Sequence, residues 1–109
     1  MNNLSPIVIF AFNREKHLSV LIESLKHNKE AKDSNLFIFS DGPKLDEDIT
    51  KVDQVRKYLK SIKGFKSIKV FEQDSNLGLS KSVISGVSKI INSEKKAIIL
   101  EDDMVVSPN

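Results

Sequence analysis

Glu101, Asp102 and Asp103 stand side by side at the end of the apolar run Ala97-Ile98-Ile99-Leu100. Three adjacent carboxylates repel one another, and their ionised forms are costly beside a core. A divalent cation or a set of hydrogen-bond donors relieves that cost, and hard cations prefer oxygen ligands. The apolar run has the composition of a buried strand. The acids then fall at the C-terminal end of that strand, where open α/β sheets bind ligands. The pattern points to a metal–nucleotide site, with a solvated acidic loop as the plainer alternative. Three other polar groups follow apolar stretches in the same way: Asn13-Arg14, Ser40-Asp41-Gly42, and Asp74 through Gly78.

The elements that must position these groups are legible from periodicity. Ile7 through Phe12 is apolar at both alternate sets, the habit of a central parallel strand covered on both faces. Leu18, Leu21, Ile22 and Leu25 recur at helical spacing and predict an amphipathic helix. Leu36 through Phe39 predicts a second strand, closed by the turn residues Ser40-Asp41-Gly42-Pro43. Ile49, Val52, Val55, Leu59 and Ile62 form the stripe of a second helix, with Asp46, Glu47 and Asp48 in a first turn where the helix dipole favours acids. Gly64 is its expected stop. Ile68 through Phe71 reads as a third strand, with Ser67, Lys69 and Phe71 on a less covered face, and so nearer a sheet edge. Leu79, Val83, Val87, Ile90 and Ile91 mark a third helix, within which Gly86 sacrifices about 1 kcal/mol of helix propensity and permits close packing on the sheet.

Four strands about thirty residues apart, alternating with three helices, are the signature of crossover units in a parallel sheet. The expected fold is α/β, a three-layer α/β/α sandwich with a mostly parallel sheet of about four strands and three helices. The bulk numbers agree. The chain has 109 residues, 39% hydrophobic and 29% charged, with a net charge of +2, which suits one soluble domain. The basic residues read as solvated faces, and one Tyr with no Trp argues against specific nucleic-acid binding. The absence of Cys excludes disulfides and thiolate metal sites. Pro6 to Phe12 is too short to span a membrane, and Met1 to Ser5 lacks a charged leader, so the cytoplasm is the expected compartment.

The four strand-end groups, taken in order, resemble the nucleotide-binding half of GT-A-fold glycosyltransferases, family 2-like or N-acetylglucosaminyltransferase I-like. Pro-Ile-Val-Ile-Phe-Ala-Phe-Asn-Arg is similar to the first strand and uracil-side loop of that family, and Ser-Asp-Gly to its nucleotide-binding Asp. Asn-Leu-Gly-Leu resembles its loop before helix three, and Leu-Glu-Asp-Asp-Met-Val-Val-Ser-Pro-Asn its DXD-like acidic motif. The resemblance implies that residues 1–109 form one nucleotide-sugar-binding domain, the N-terminal fragment of a longer enzyme. It implies transfer of a sugar from a nucleotide-diphosphate sugar, expected to be UDP-linked, to a glycan or other acceptor hydroxyl. It also implies roles. Asp103 would ligate Mn²⁺ or Mg²⁺; Glu101 and Asp102 would contact the ribose or sugar. Asp41 would accept a hydrogen bond from the base, with Arg14 beside base or phosphate, and Asn76 and Lys81 would line the donor pocket. The catalytic base of such enzymes follows the acidic motif, so none is assigned.

Each residue also has a plainer reading. Arg14 and Lys81 read equally as solvated helix residues, and Asp41, Asn76 and Gly78 as turn formers. His17 and His27 are expected at the surface, and Phe10, Phe12, Phe37, Phe39 and Phe71 in the core. Two rival functions stand beside the transferase. A nucleotidyltransferase would want a Gly-rich phosphate loop where Phe12-Asn13-Arg14-Glu15 stands. A non-catalytic, receiver-like module would want an acid pair there. An exposed sheet edge would further allow a homo-oligomer.

Overall fold

The computed structural model describes the backbone of residues 6–94 and 98–101, and the side chains of these residues except those at 79, 80, 91, 93, 94 and 101. Strands β1 (Ile7–Ala11), β2 (Asn35–Ser40), β3 (Ser67–Glu72) and β4 (Ile98–Glu101) alternate with helices α1 (Glu15–Lys26), α2 (Asp48–Leu59) and α3 (Leu79–Glu94). A single 3-10 turn at Ala31–Asp33 precedes β2. The four strands form one parallel sheet in the order β3-β2-β1-β4. The expected α/β design is therefore present, with β3 at an edge and β1 inside.

Strand β1 is buried throughout because it is apolar on both faces. Ile7, Ile9 and Ala11 pack with Leu36 and Ile38 against Leu18, Leu21, Ile22 and Leu25 of α1 and Val55 and Leu59 of α2. Val8, Phe10 and Phe39 pack on the opposite face with Val83, Val87 and Ile90 of α3. These are the three layers. Gly86 fulfils its expectation: a Cβ there would lie 2.9 Å from Phe10 Cε1 and 3.1 Å from Phe39 Cδ2. Phe65 reaches from its loop onto the α1–α2 side of the core.

Two expectations need correction. Ile49 is 48% exposed, because the preceding Asp48 takes the inward position at the start of α2. Phe12 lies one residue beyond β1 and is only half-buried; with the strand ended, alternation no longer aims it inward. Phe37 and Phe71 are likewise half-buried against the α3 side. His17 and His27 are exposed, as expected.

The strand order has one consequence for ligands. From β1 the chain steps outward to β2 and β3, then returns to place β4 on the other side of β1. The two directions diverge between β1 and β4, the topological switch point where open α/β sheets leave a crevice at the strands' C-terminal ends.

Candidate functional site

The parallel sheet carries every C-terminal strand end to one rim. Asn13 and Arg14 follow β1, Asp41 and Gly42 follow β2, Asp74 to Gly78 follow β3, and Glu101 ends β4. Glu101 is in register with Phe10 of β1, so the acidic run begins at the C-terminal end of the β1–β4 pair, three residues before Asn13 in register. Asp102, Asp103 and the side chain of Glu101 lie outside the described residues.

Asp41 is the best-defined member of the rim. It is buried, and four donors converge on its carboxylate. Oδ1 accepts from the backbone N–H groups of Gly42 and Leu77, each at 2.9 Å. Oδ2 accepts from the Gly78 N–H at 3.1 Å and the Asn76 side-chain amide at 3.2 Å. A carboxylate has about four lone-pair sites, and here each oxygen receives two donors. Asp41 therefore clamps the loop that leads into α3. Asn76 closes the clamp by donating also to the Gly42 carbonyl at 2.9 Å. Gly78 enters at φ +82°, a conformation that favours glycine. Gly42 is required by proximity: a Cβ there would lie 2.6 Å from the Ser75 carbonyl carbon.

Arg56 of α2 ties the same two loops from below, a role its position beside the apolar stripe did not disclose. Its Nε donates to Ser40 Oγ at 3.0 Å. Its Nη2 donates to the carbonyls of Gln73 at 2.7 Å, and of Ser40 and Asp41 at 3.3 Å each. Glu72 lies 3.8 Å from Nη1. The planar guanidinium suits several fixed acceptors at once, which an ammonium cannot match. The only sequence signal was an arginine one position after the buried Val55.

Asn13 joins β1 to α2. Its side-chain amide donates to Asp48 Oδ1 at 2.9 Å, while Asp48 Oδ2 accepts from the Leu45 and Lys44 N–H groups at 2.9 and 3.3 Å. The Leu45 N–H and the Asn13 amide, in that order, hold the Asp48 carboxyl below its ordinary value. Asp48 is thus more than a charge on the helix dipole. Arg14 and Lys81 are both exposed, Arg14 at the N-cap of α1 and Lys81 in the first turn of α3. In that turn Ser82 Oγ is buried without a partner among the described residues. The structure thus brings Asp41 and Asn76 into contact and places Arg14, Lys81 and Glu101 on elements that end or begin at the same rim.

Among the described residues, no three His, Cys, Asp or Glu side chains form a metal-holding group. The chemistry of the acidic run still fits a hard cation, since its side chains offer only carboxylate oxygens.

Comparison with known proteins places this geometry. In a crystal structure of S. aureus TarS, the matching region superposes with a TM-score of 0.63 at 17% identity; the match covers 97% of this chain and 18% of that one. That likeness shows the fold, and this chain spans less than a fifth of TarS. No curated protein matches the sequence. The model of the family described as glycosyl transferase family 2 matches residues 7–109, nearly the whole chain and all four strand-end groups. The chain belongs to glycosyl transferase family 2.

Proposed function

We propose that this chain is the donor-binding part of an enzyme that moves a sugar from a nucleotide-diphosphate sugar, UDP-linked, to an acceptor hydroxyl. The observation that carries this reading is the rim itself. All four strands of the parallel sheet end on this rim, and the loops that follow β2 and β3 are locked together by Asp41 and Arg56. A pre-set rim spends little binding energy on ordering itself when a ligand arrives.

In this reading Asp41 acts by holding the Asn76–Gly78 loop. A hydrogen bond from the base to its carboxylate would have to share an oxygen with donors already in place. Arg14 and Lys81 supply positive charge towards the diphosphate, and Glu101 and Asp102 meet the ribose or sugar. Asp103 holds Mn²⁺ or Mg²⁺, which as a Lewis acid would offset charge on the departing diphosphate. The catalytic base and acceptor contacts belong to other parts of the enzyme. No helix among the described residues is long and apolar enough to cross a membrane.

Titration calorimetry with UDP, in the presence and absence of Mn²⁺, tests the reading. Binding should require the cation, and Asp103→Ala should weaken it by tenfold or more, about 1.4 kcal/mol. Equal binding by the variant, or binding indifferent to Mn²⁺, would remove the metal from the proposal. The nucleotidyltransferase alternative has no support at the first loop, where Asn13 and Arg14 stand without glycine.

A further inference from the structure

The lysines are not spread evenly over the fold. Because α1 and α2 run back against the parallel strands, their C-terminal ends meet the N-terminal ends of the strands, the pole opposite the rim. Seven lysines lie in the last turns of α1 and α2 or in the segments that follow them: Lys26, Lys29 and Lys32, and Lys57, Lys60, Lys63 and Lys66. All seven are exposed.

The two groups are neighbours in space. The Lys66 N–H donates to the Ser34 carbonyl at 3.0 Å, and the Lys26 side chain passes close enough to Gly64 that a Cβ there would lie 3.5 Å from its Cε. Against the seven lysines stand Glu23, Glu30 and Asp33, and Glu23 is committed to Lys26 at 3.2 Å. Among the described residues the pole therefore carries an excess of four positive charges, in a chain whose net charge is +2. The rest of the sequence is net negative, and among the described residues Asp41, Asp46, Glu47, Asp48, Glu72 and Asp74 lie towards the rim.

We propose that this basic pole docks on an anionic lipid bilayer, holding the rim away from the surface. Three features favour lipid headgroups over a nucleic acid. The charge comes from lysine alone, a point charge without the fork by which arginine reads phosphates and bases. The two large aromatic residues at the pole, Tyr58 and Phe65, are half-buried and pack on the core, leaving the His27 imidazole as the one exposed ring among the described residues of the pole, too little for a base-stacking platform. The lysines cap loop tips and helix ends, which suits a broad surface of mobile charges. Clusters of four to eight basic residues bind acidic membranes at roughly 1 kcal/mol per residue, within a Debye length of the surface.

Co-sedimentation of the protein with phosphatidylcholine vesicles, with and without phosphatidylglycerol, tests this independently of any donor. Binding is expected only to the acidic vesicles and should fall steeply as salt is raised. Each Lys→Gln change at 57, 60, 63 or 66 should weaken it about fivefold, whereas Lys44→Gln and Lys51→Gln, away from the pole, should leave it unchanged. The salt series on the unaltered protein stands even if a multiple variant fails to fold. Equal binding to neutral vesicles, insensitivity to salt, or tighter binding to duplex DNA than to acidic vesicles would overturn the proposal. Loss of UDP binding with vesicle binding intact would leave it standing and count only against the donor assignment.

Discussion

At the scale of single residues, one carboxylate does most of the positioning. Removing Asp41 leaves three backbone N–H groups and an amide without their acceptor. Hydrogen bonds to a charged group contribute about 1.5–3 kcal/mol each, though not additively. Asp41→Ala should cost about 2–4 kcal/mol, the range of a broken buried polar network, and Asp41→Asn somewhat less, since its amide oxygen still accepts from two of the four donors. Urea denaturation measures both; a loss below half a kilocalorie for Asp41→Ala would refute the clamp. Asp48 gives a pH-dependent counterpart. Its native pKa is lowered, chiefly by the Leu45 N–H and then by Asn13. The native state therefore releases this proton more readily than the unfolded chain. The resulting stability is fully present above the unfolded value, about pH 4, and is lost as the pH falls through the lowered native value. Denaturation midpoints of the unaltered protein and Asp48→Asn should differ at neutral pH and converge in acid. Parallel curves across that range would assign the acid sensitivity elsewhere.

At the scale of elements, two glycines separate a tolerable contact from an intolerable one. In α3, Gly86→Ala gains about 1 kcal/mol of helix propensity but presses on Phe10. That ring has little room to yield, being buried and stacked on Phe39 with centroids 5.4 Å apart, while Phe39 stacks in turn on Phe71 at 4.7 Å. Overpacking costs about 1–3 kcal/mol, so the net effect should be a modest loss. Gly42→Ala should cost more, because the obstruction is backbone of the Ser75 turn at 2.6 Å rather than a ring edge. Thermal midpoints should rank the parent first, then Gly86→Ala, then Gly42→Ala; the reverse order of the two variants would contradict the packing described. The close packing at Gly86 was legible in the sequence, because a glycine amid an apolar helix face leaves a notch that a large side chain of the facing sheet can fill. So were the strands, their parallel alternation with helices, and the edge position of β3. The Asp41–Asn76 contact was not, because it joins residues 35 apart through loops whose individual signals are those of ordinary turns. Arg56 escaped for a related reason: one arginine beside an apolar stripe looks the same whether its head meets water or three carbonyls. Ile49 misled because the stripe cannot tell which residue of the first turn faces inward.

At the scale of the whole molecule, the sheet ends differently on its two sides. Strand β3 carries exposed Lys69 and Glu72, the charged residues with which natural sheets discourage further pairing. Strand β4 is apolar but for its last residue, and Ile98 and Ile99 remain 49% and 37% exposed. It pairs with β1 on one side, and no described strand lies on the other. The Ile98 N–H points inward to the Pro6 carbonyl at 2.8 Å, so the N–H of Ile99 points outward. We infer that the 109-residue chain self-associates through β4 and not through β3. Light scattering over a concentration series should then show growth beyond the monomer mass. Ile98→Lys, which gives β4 the kind of charge that Lys69 gives β3, should restore the monomer, while Lys69→Glu should not. A monomer at every concentration would refute the association outright. Growth that survives Ile98→Lys would move it to another surface. Any segment that covers β4 should abolish this self-association, even though residues 98–101 are unchanged.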